Sequence, residues 1–218
     1  MTDQTIRIFD LPSGMKLLCR RSQIAVEYFG VAVNAGSRDE RPGEFGLAHF
    51  VEHTIFKGTL NRRACHIINR MEAVGGELNA FTTKEETNVY ALFPKGNLNR
   101  AIDLIADLIA NSVFPKVELD REREVVRDEI DSYLDTPSEA VYDDFEDLFY
   151  AGSQLGHNIL GTDKDLDGFS SEVCRNYLTS HFTQSRMVAY YLGPEAPESV
   201  LRKVTARMAA VPVQGVAP

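Results

Sequence analysis

Two histidines and a glutamate, His49, Glu52 and His53, fall inside an otherwise apolar run, GLAHFVEHTIFKGT, residues 46–59. If that run is a helix, His49 and His53 are four residues apart and project from one face. Two imidazoles so placed can hold one zinc ion, each at about 2.0–2.1 Å. Glu52, one residue before the second histidine, is within reach of a water on that metal. Zinc lowers the pKa of such a water to about 7, and a carboxylate can take the remaining proton.

The competing reading is two histidines that meet by chance. A single histidine here would more often be structural, but a pair on one helix face with a glutamate between favours metal. The order His-x-x-Glu-His inverts the common zinc-protease motif and is itself a zincin signature. A structural zinc site would want four ligands and cysteine. None of Cys19, Cys65 and Cys174 lies near the motif, and the three are too scattered for a disulfide framework or a metal knuckle.

A catalytic zinc needs a third protein ligand and an open position. The acidic stretch DREREVVRDEIDSYL offers Glu122, Glu124, Asp128 and Glu129. At about 100° per residue, Val126 and Tyr133 mark the inward stripe of a helix, with Ile130 on one flank and Val125 further round on the other. Glu122 and Glu129 border that stripe, whereas Glu124 and Asp128 point to solvent. Acids beside a buried face need a reason to be there. Spacing leaves Glu122 and Glu129 unranked.

The elements that must position these groups follow from pattern. IRIFDLPSGMKLLCRR reads as two strands about a turn at residues 12–14, and residues 25–37 as a third. A polar loop, SRDERPGEFG, leads into the helix LAHFVEHTIF. RRACHIINRMEAV reads as a second helix, stopped at Gly75-Gly76. ELNAFTTKEETNVYALFP suggests a hairpin, and NLNRAIDLIADLIANSV an amphipathic helix. The acidic helix breaks near Thr136-Pro137, and EAVYDDFEDLFYA forms another. HNILGTDKDLDG reads as a loop, residues 171–182 as helix, MVAYYLG as a buried strand and APESVLRKVTARMAAV as a closing helix. The expected class is α+β, a largely antiparallel sheet covered by helices. Residues 1–210 form one domain and 211–218, within VPVQGVAP, a linker or tail.

With 218 residues the chain can bury a real core. Its net charge of −9 argues against nucleic-acid binding. No apolar run is long enough to span a bilayer, and the start, MTDQTIRIFD, has no secretory pattern. The expectation is therefore a cytoplasmic protein with no nucleic-acid and no membrane partner.

HFVEH, the NAFTTKEETNVY block and EREVVRDEI also occur in the order and spacing of the pitrilysin/insulinase family of inverted zincins. The chain resembles especially the branch that includes mitochondrial processing peptidase, from about residue 7 to residue 210. The resemblance implies His49, His53 and Glu129 as ligands of one zinc ion, since the family's third ligand lies about 76 residues beyond the second histidine. It implies Glu52 as general base and Glu122 as a second acid supporting the catalytic site. It also implies that extended peptide binds along an edge strand, here Gly76, Glu77, Leu78, Asn79, Ala80 and Phe81 to Thr82; strand addition gives affinity with little demand on sequence. Without the resemblance Asn79 reads as a turn-forming asparagine. His66, His157 and His181 read as packing or hydrogen-bonding histidines, and Phe50, Ile55 and Phe56 as core.

Typical members are about twice this length, with two similar halves facing each other around a chamber. The second half supplies an arginine and a tyrosine that bind substrate and help stabilise the oxyanion. This chain matches the zinc-carrying half. The implied partner is a second-half domain, a separate chain or a homodimer mate. The expected function is a zinc endopeptidase domain acting on extended or unfolded peptides. The rival is a metal-binding or half-enzyme subunit without turnover of its own.

Overall fold

A computed structural model describes residues 6–214 of the chain. Three strands open it, β1 (Ile6–Asp10), β2 (Lys16–Arg21) and β3 (Val26–Val33). The helix α1 (Leu47–Thr54) carries the histidine motif, and α2 (Ala64–Glu72) follows it. The hairpin β4 (Glu77–Thr82) and β5 (Thr87–Pro94) leads to α3 (Leu98–Asn111), α4 (Lys116–Leu134) and α5 (Pro137–Phe149). A single-turn α6 (Asp163–Leu166), α7 (Ser171–His181), β6 (Met187–Gly193) and α8 (Pro197–Met208) complete it.

The six strands form one sheet in the order β1-β2-β6-β3-β5-β4. Only β2 and β6 run parallel, Lys16 facing Val188 and Arg21 facing Gly193; the other pairs are antiparallel. The α+β class expected from the pattern is thus the class found. Alternation sets the faces. Leu17 and Cys19 of β2, Phe29, Val31 and Val33 of β3 and Val89, Ala91 and Phe93 of β5 are buried under helices. α3 and α8 pack on the middle of that face, α1 and α2 at the β4 end. The opposite face carries exposed Ile6, Ile8, Val26, Tyr28 and Phe81.

The break between α4 and α5 falls at Thr136-Pro137 because Pro137 takes the first position of α5, where no amide hydrogen is needed. The loop expected over HNILGTDKDLDG contains α6. Thr162 caps it by accepting from the Asp165 N–H at 3.1 Å, enough to fix one turn in a short acidic run. Val211 is buried, and the carbonyls of Pro212 and Val213 accept from the N–H groups of Gln184 and Ser185. These residues of the expected tail therefore lie against the packed body; 215–218 fall outside the described residues.

Candidate metal centre

α1 is buried along most of its length: Leu47, Ala48, Phe50, Val51 and Thr54 face the core. Its remaining side bears His49, 8% exposed, with Glu52 and His53 only partly covered. The two imidazoles stand 4.5 Å apart between centroids at 62°. α4 crosses close to α1 and brings Glu129 opposite them. Glu129 Oε2 lies 3.7 Å from His49 Nε2 and 3.5 Å from His53 Nε2. One donor atom from each of His49, His53 and Glu129 falls within 4.8 Å of the others, the group among the described residues that could hold a metal.

The stripe read on α4 corresponds to the packing. Val126 is buried and Ile130 packs against the core, whereas Val125 is exposed. Glu124 pairs with Arg127 at the surface, and Asp128 is exposed. The two acids that spacing left unranked occupy different places. Glu129 joins the histidines, its side chain 44% exposed. Glu122, 12% exposed, stands behind His53, with Oε1 3.2 Å from Nδ1 and Oε2 2.5 Å from Lys57 Nζ. A His53 that donates from Nδ1 to Glu122 keeps its Nε2 lone pair turned toward Glu129.

The electrostatics follow from burial. His49 titrates down at about 3, because burial disfavours the imidazolium and His53 adds repulsion. It is therefore a neutral ring with a lone pair to offer. Burial pushes the Glu52 carboxyl above the ordinary carboxylate range, against the lowering pull of Thr82 and His53, and Glu129 adds to the rise. An open groove runs from His49 and Thr82 past Glu129 and Tyr133 to Asn158 and Leu160.

The expected peptide-binding segment is β4 with Gly76 just before it. Among the described residues β4 pairs with β5 alone and is the sheet's edge. Leu78 packs partly into the core and Ala80 is buried, while Glu77, Asn79 and Phe81 reach outward. The Ala80 N–H donates to the Asn79 side-chain oxygen at 2.8 Å. The Asn79 side chain thus occupies a backbone donor of the edge strand.

His66 is exposed on α2, His181 contacts Arg186 Nη1 at 2.7 Å, and Phe50 and Ile55 are buried in the core, with Phe56 packed against it. His157 is hydrogen-bonded to Glu40, at 3.0 Å. Sequence reasoning did not single out Glu40, which touches the start of α1; it sits in a polar loop whose contacts have no period to read.

The donor chemistry of the group fits zinc: two imidazole nitrogens and one carboxylate converge, with room for a fourth position on the groove side. Comparison with known proteins points the same way. A family model described as Insulinase (Peptidase family M16) matches residues 18–163. A probable mitochondrial-processing peptidase subunit beta of Arabidopsis thaliana is 35% identical over 199 residues, 91% of this chain and 38% of that protein. The uncharacterized zinc protease YmxG of Bacillus subtilis is 38% identical over 164 residues, 75% of this chain and 40% of that protein. The chain spans about two fifths of the length of these relatives. Among solved structures, a protease from Helicobacter pylori superposes with a TM-score of 0.90 at 20% identity, over 99% of this chain and 52% of that one. A peptidase M16 inactive domain from Pseudomonas fluorescens gives 0.90 at 14% identity, over 98% of this chain and 53% of that one. At those identities the likeness is one of fold.

Proposed function

The chain belongs to the insulinase (M16) peptidase family, and from that premise we propose that it is the zinc-binding domain of an endopeptidase that cuts extended or unfolded peptides. The observation that carries this reading is the convergence of His49 Nε2, His53 Nε2 and Glu129 Oε2 with Glu52 on the same helix. Relatives named as zinc proteases support the metal, and the single cluster of donors among the described residues supports one ion per chain.

His49, His53 and Glu129 would hold the zinc, with Glu122 orienting His53. When bound, zinc supplies Lewis acidity that polarises a carbonyl and makes water a nucleophile near neutral pH. The remaining work belongs to the chain. Glu52 accepts a proton on its carboxylate from the attacking water, then returns it to the departing amine nitrogen as the peptide C–N bond breaks. β4 aligns the substrate backbone by adding it as a further strand, from Gly76 to Phe81.

The rival reading is a metal-binding half without turnover of its own; a solved neighbour described as inactive has the same fold. The partner in our reading is a second half, since this chain spans about half of its structural neighbours. Exposed apolar residues on the open sheet face and on α5, among them Tyr142, Phe145 and Phe149, support such a partner.

The test is Glu52→Gln in the zinc-loaded protein, assayed on a quenched unfolded peptide with and without a second-half domain. Cleavage should fall about 10²–10⁴-fold with zinc retained. Unchanged cleavage would sink the mechanism.

A further inference from the structure

α1 starts poorly on its own account. Its N-cap is Gly46, with φ 94°, no side-chain oxygen to offer and no acid in the helix's first turn. The first N–H groups of any helix lack partners within it. Here the Leu47 N–H turns to the Glu44 carbonyl, and those of Ala48 and of the N-cap itself are served from a distance. Glu40 Oε2 accepts from the Gly46 N–H at 2.9 Å and Oε1 from the Ala48 N–H at 2.7 Å. A carboxylate at that end also meets the positive pole of the helix dipole.

Glu40 is itself clamped. Its side chain is fully buried, and His157 Nε2 lies 3.0 Å from Oε2. The His157 ring stacks on Phe45 at 4.2 Å, and Gln154 Nε2 donates to the Glu40 carbonyl at 2.6 Å. The backbones of 45–46 and 160–161 approach so closely that a Cβ on Gly161 would stand 1.9 Å from the Phe45 oxygen. The segment from Gln154 to Gly161 therefore presses on the start of α1 and lines the groove at Asn158 and Leu160.

The two histidines differ in what aims them. His53 is held through its ring, by Glu122 at Nδ1. His49 Nδ1 is buried with no hydrogen-bond partner among the described residues. Its ring direction must come from packing and from the backbone of the first helical turn. Ala48, whose N–H Glu40 holds, is the residue before it.

We propose that Glu40 is the positioning residue for His49, acting on the backbone at the helix start as Glu122 acts on the ring of His53, with His157 holding Glu40 in place. This rests on the metal reading above. It extends the machinery of the site to a loop carboxylate and a histidine that lie outside the zinc motif.

The experiment is a cobalt(II) titration of the full chain, read by affinity and by ligand-field absorption, for the unchanged protein, Glu40→Gln and His157→Ala. Far-UV circular dichroism checks folding in parallel. Glu40→Gln should bind cobalt about 10–100-fold more weakly, with a shifted band, as loss of a ligand's supporting partner does elsewhere. His157→Ala should shift the band in the same sense with a smaller loss. A folded Glu40→Gln protein with unchanged affinity and spectrum would leave Glu40 a structural residue and overturn the proposal. If that variant fails to fold, an unchanged His157→Ala spectrum does the same. No cobalt binding by the unchanged protein would defeat the metal reading itself, and this proposal with it.

Discussion

Glu122 is gripped at both oxygens, Oε1 by His53 Nδ1 at 3.2 Å and Oε2 by Lys57 Nζ at 2.5 Å. It touches one histidine of the donor group and stands outside that group. Lys57 follows α1 by three residues, so the motif's own downstream turn holds the acid that holds its second histidine. Such a carboxylate fixes the tautomer and direction of the ring it supports.

Glu122→Ala should therefore weaken zinc binding about 10–100-fold without abolishing it. Competition against a chromophoric chelator measures this directly. Glu129→Ala, which removes a donor, should cost much more. Equal losses from the two substitutions would show that Glu122 is a ligand.

Metal removal should be visible in stability. At free zinc one hundred times the dissociation constant, binding to the native state alone adds about 2.7 kcal/mol. For a chain of this size that is roughly 5–10 °C in melting temperature. A chelator should remove the increment from the unchanged protein and change the Glu129→Ala variant little. Native mass spectrometry should count one zinc per chain.

The motif was legible because its information is local. Four-residue spacing put His49 and His53 on one face of α1, and the apolar stripe of α4 separated Glu122 and Glu129 from Glu124 and Asp128. What periodicity left unranked is a matter of how α4 crosses α1: seven residues are two turns, so both acids share a face, and only the crossing decides which meets Nε2 and which Nδ1. The hairpin of β4 and β5 was visible in its alternation, but the edge position of β4 depends on which of the two strands joins the rest of the sheet, and it is β5 that pairs with β3. Glu40 and His157 are 117 residues apart in polar loops, and pairings of that kind leave no pattern in either segment.

Asp107 should set part of the acid stability. It is buried on α3 and accepts from Thr59, Asn61 and Asn111 at 2.8, 2.6 and 2.8 Å, with Arg62 paired to it. Burial pushes its carboxyl up, but the hydrogen bonds from Asn61, Thr59, Asn111 and Arg62 together outweigh this and hold it below its ordinary range. A carboxyl lowered on folding contributes stability above its unfolded pKa, about 3.9, and loses it as pH falls through the folded value. Asp107→Asn should flatten the loss of stability below about pH 4. Asp107→Ala, which strands three donors and leaves Arg62 with Asp103 alone, should cost about 3 kcal/mol at neutral pH by urea denaturation. A variant as stable as the unchanged protein would remove Asp107 from this role.

In the proposed reading, the edge of β4 makes the most specific demand on a peptide substrate. Strand addition uses backbone groups of alternate residues, because successive residues of a strand turn their hydrogen-bonding groups to opposite sides. A peptide added to this edge would meet the Asn79 side chain already on the Ala80 N–H and would have to displace that contact to pair there. N-methylation along a good substrate should then raise KM at every second position and leave the positions between unaffected. Each hydrogen bond so lost is worth about 1 kcal/mol, or roughly fivefold in KM. The alternation discriminates more sharply than the size of the effect. A groove that held the peptide by its side chains would show losses that follow residue type, whereas pairing to β4 shows a period of two whatever the sequence.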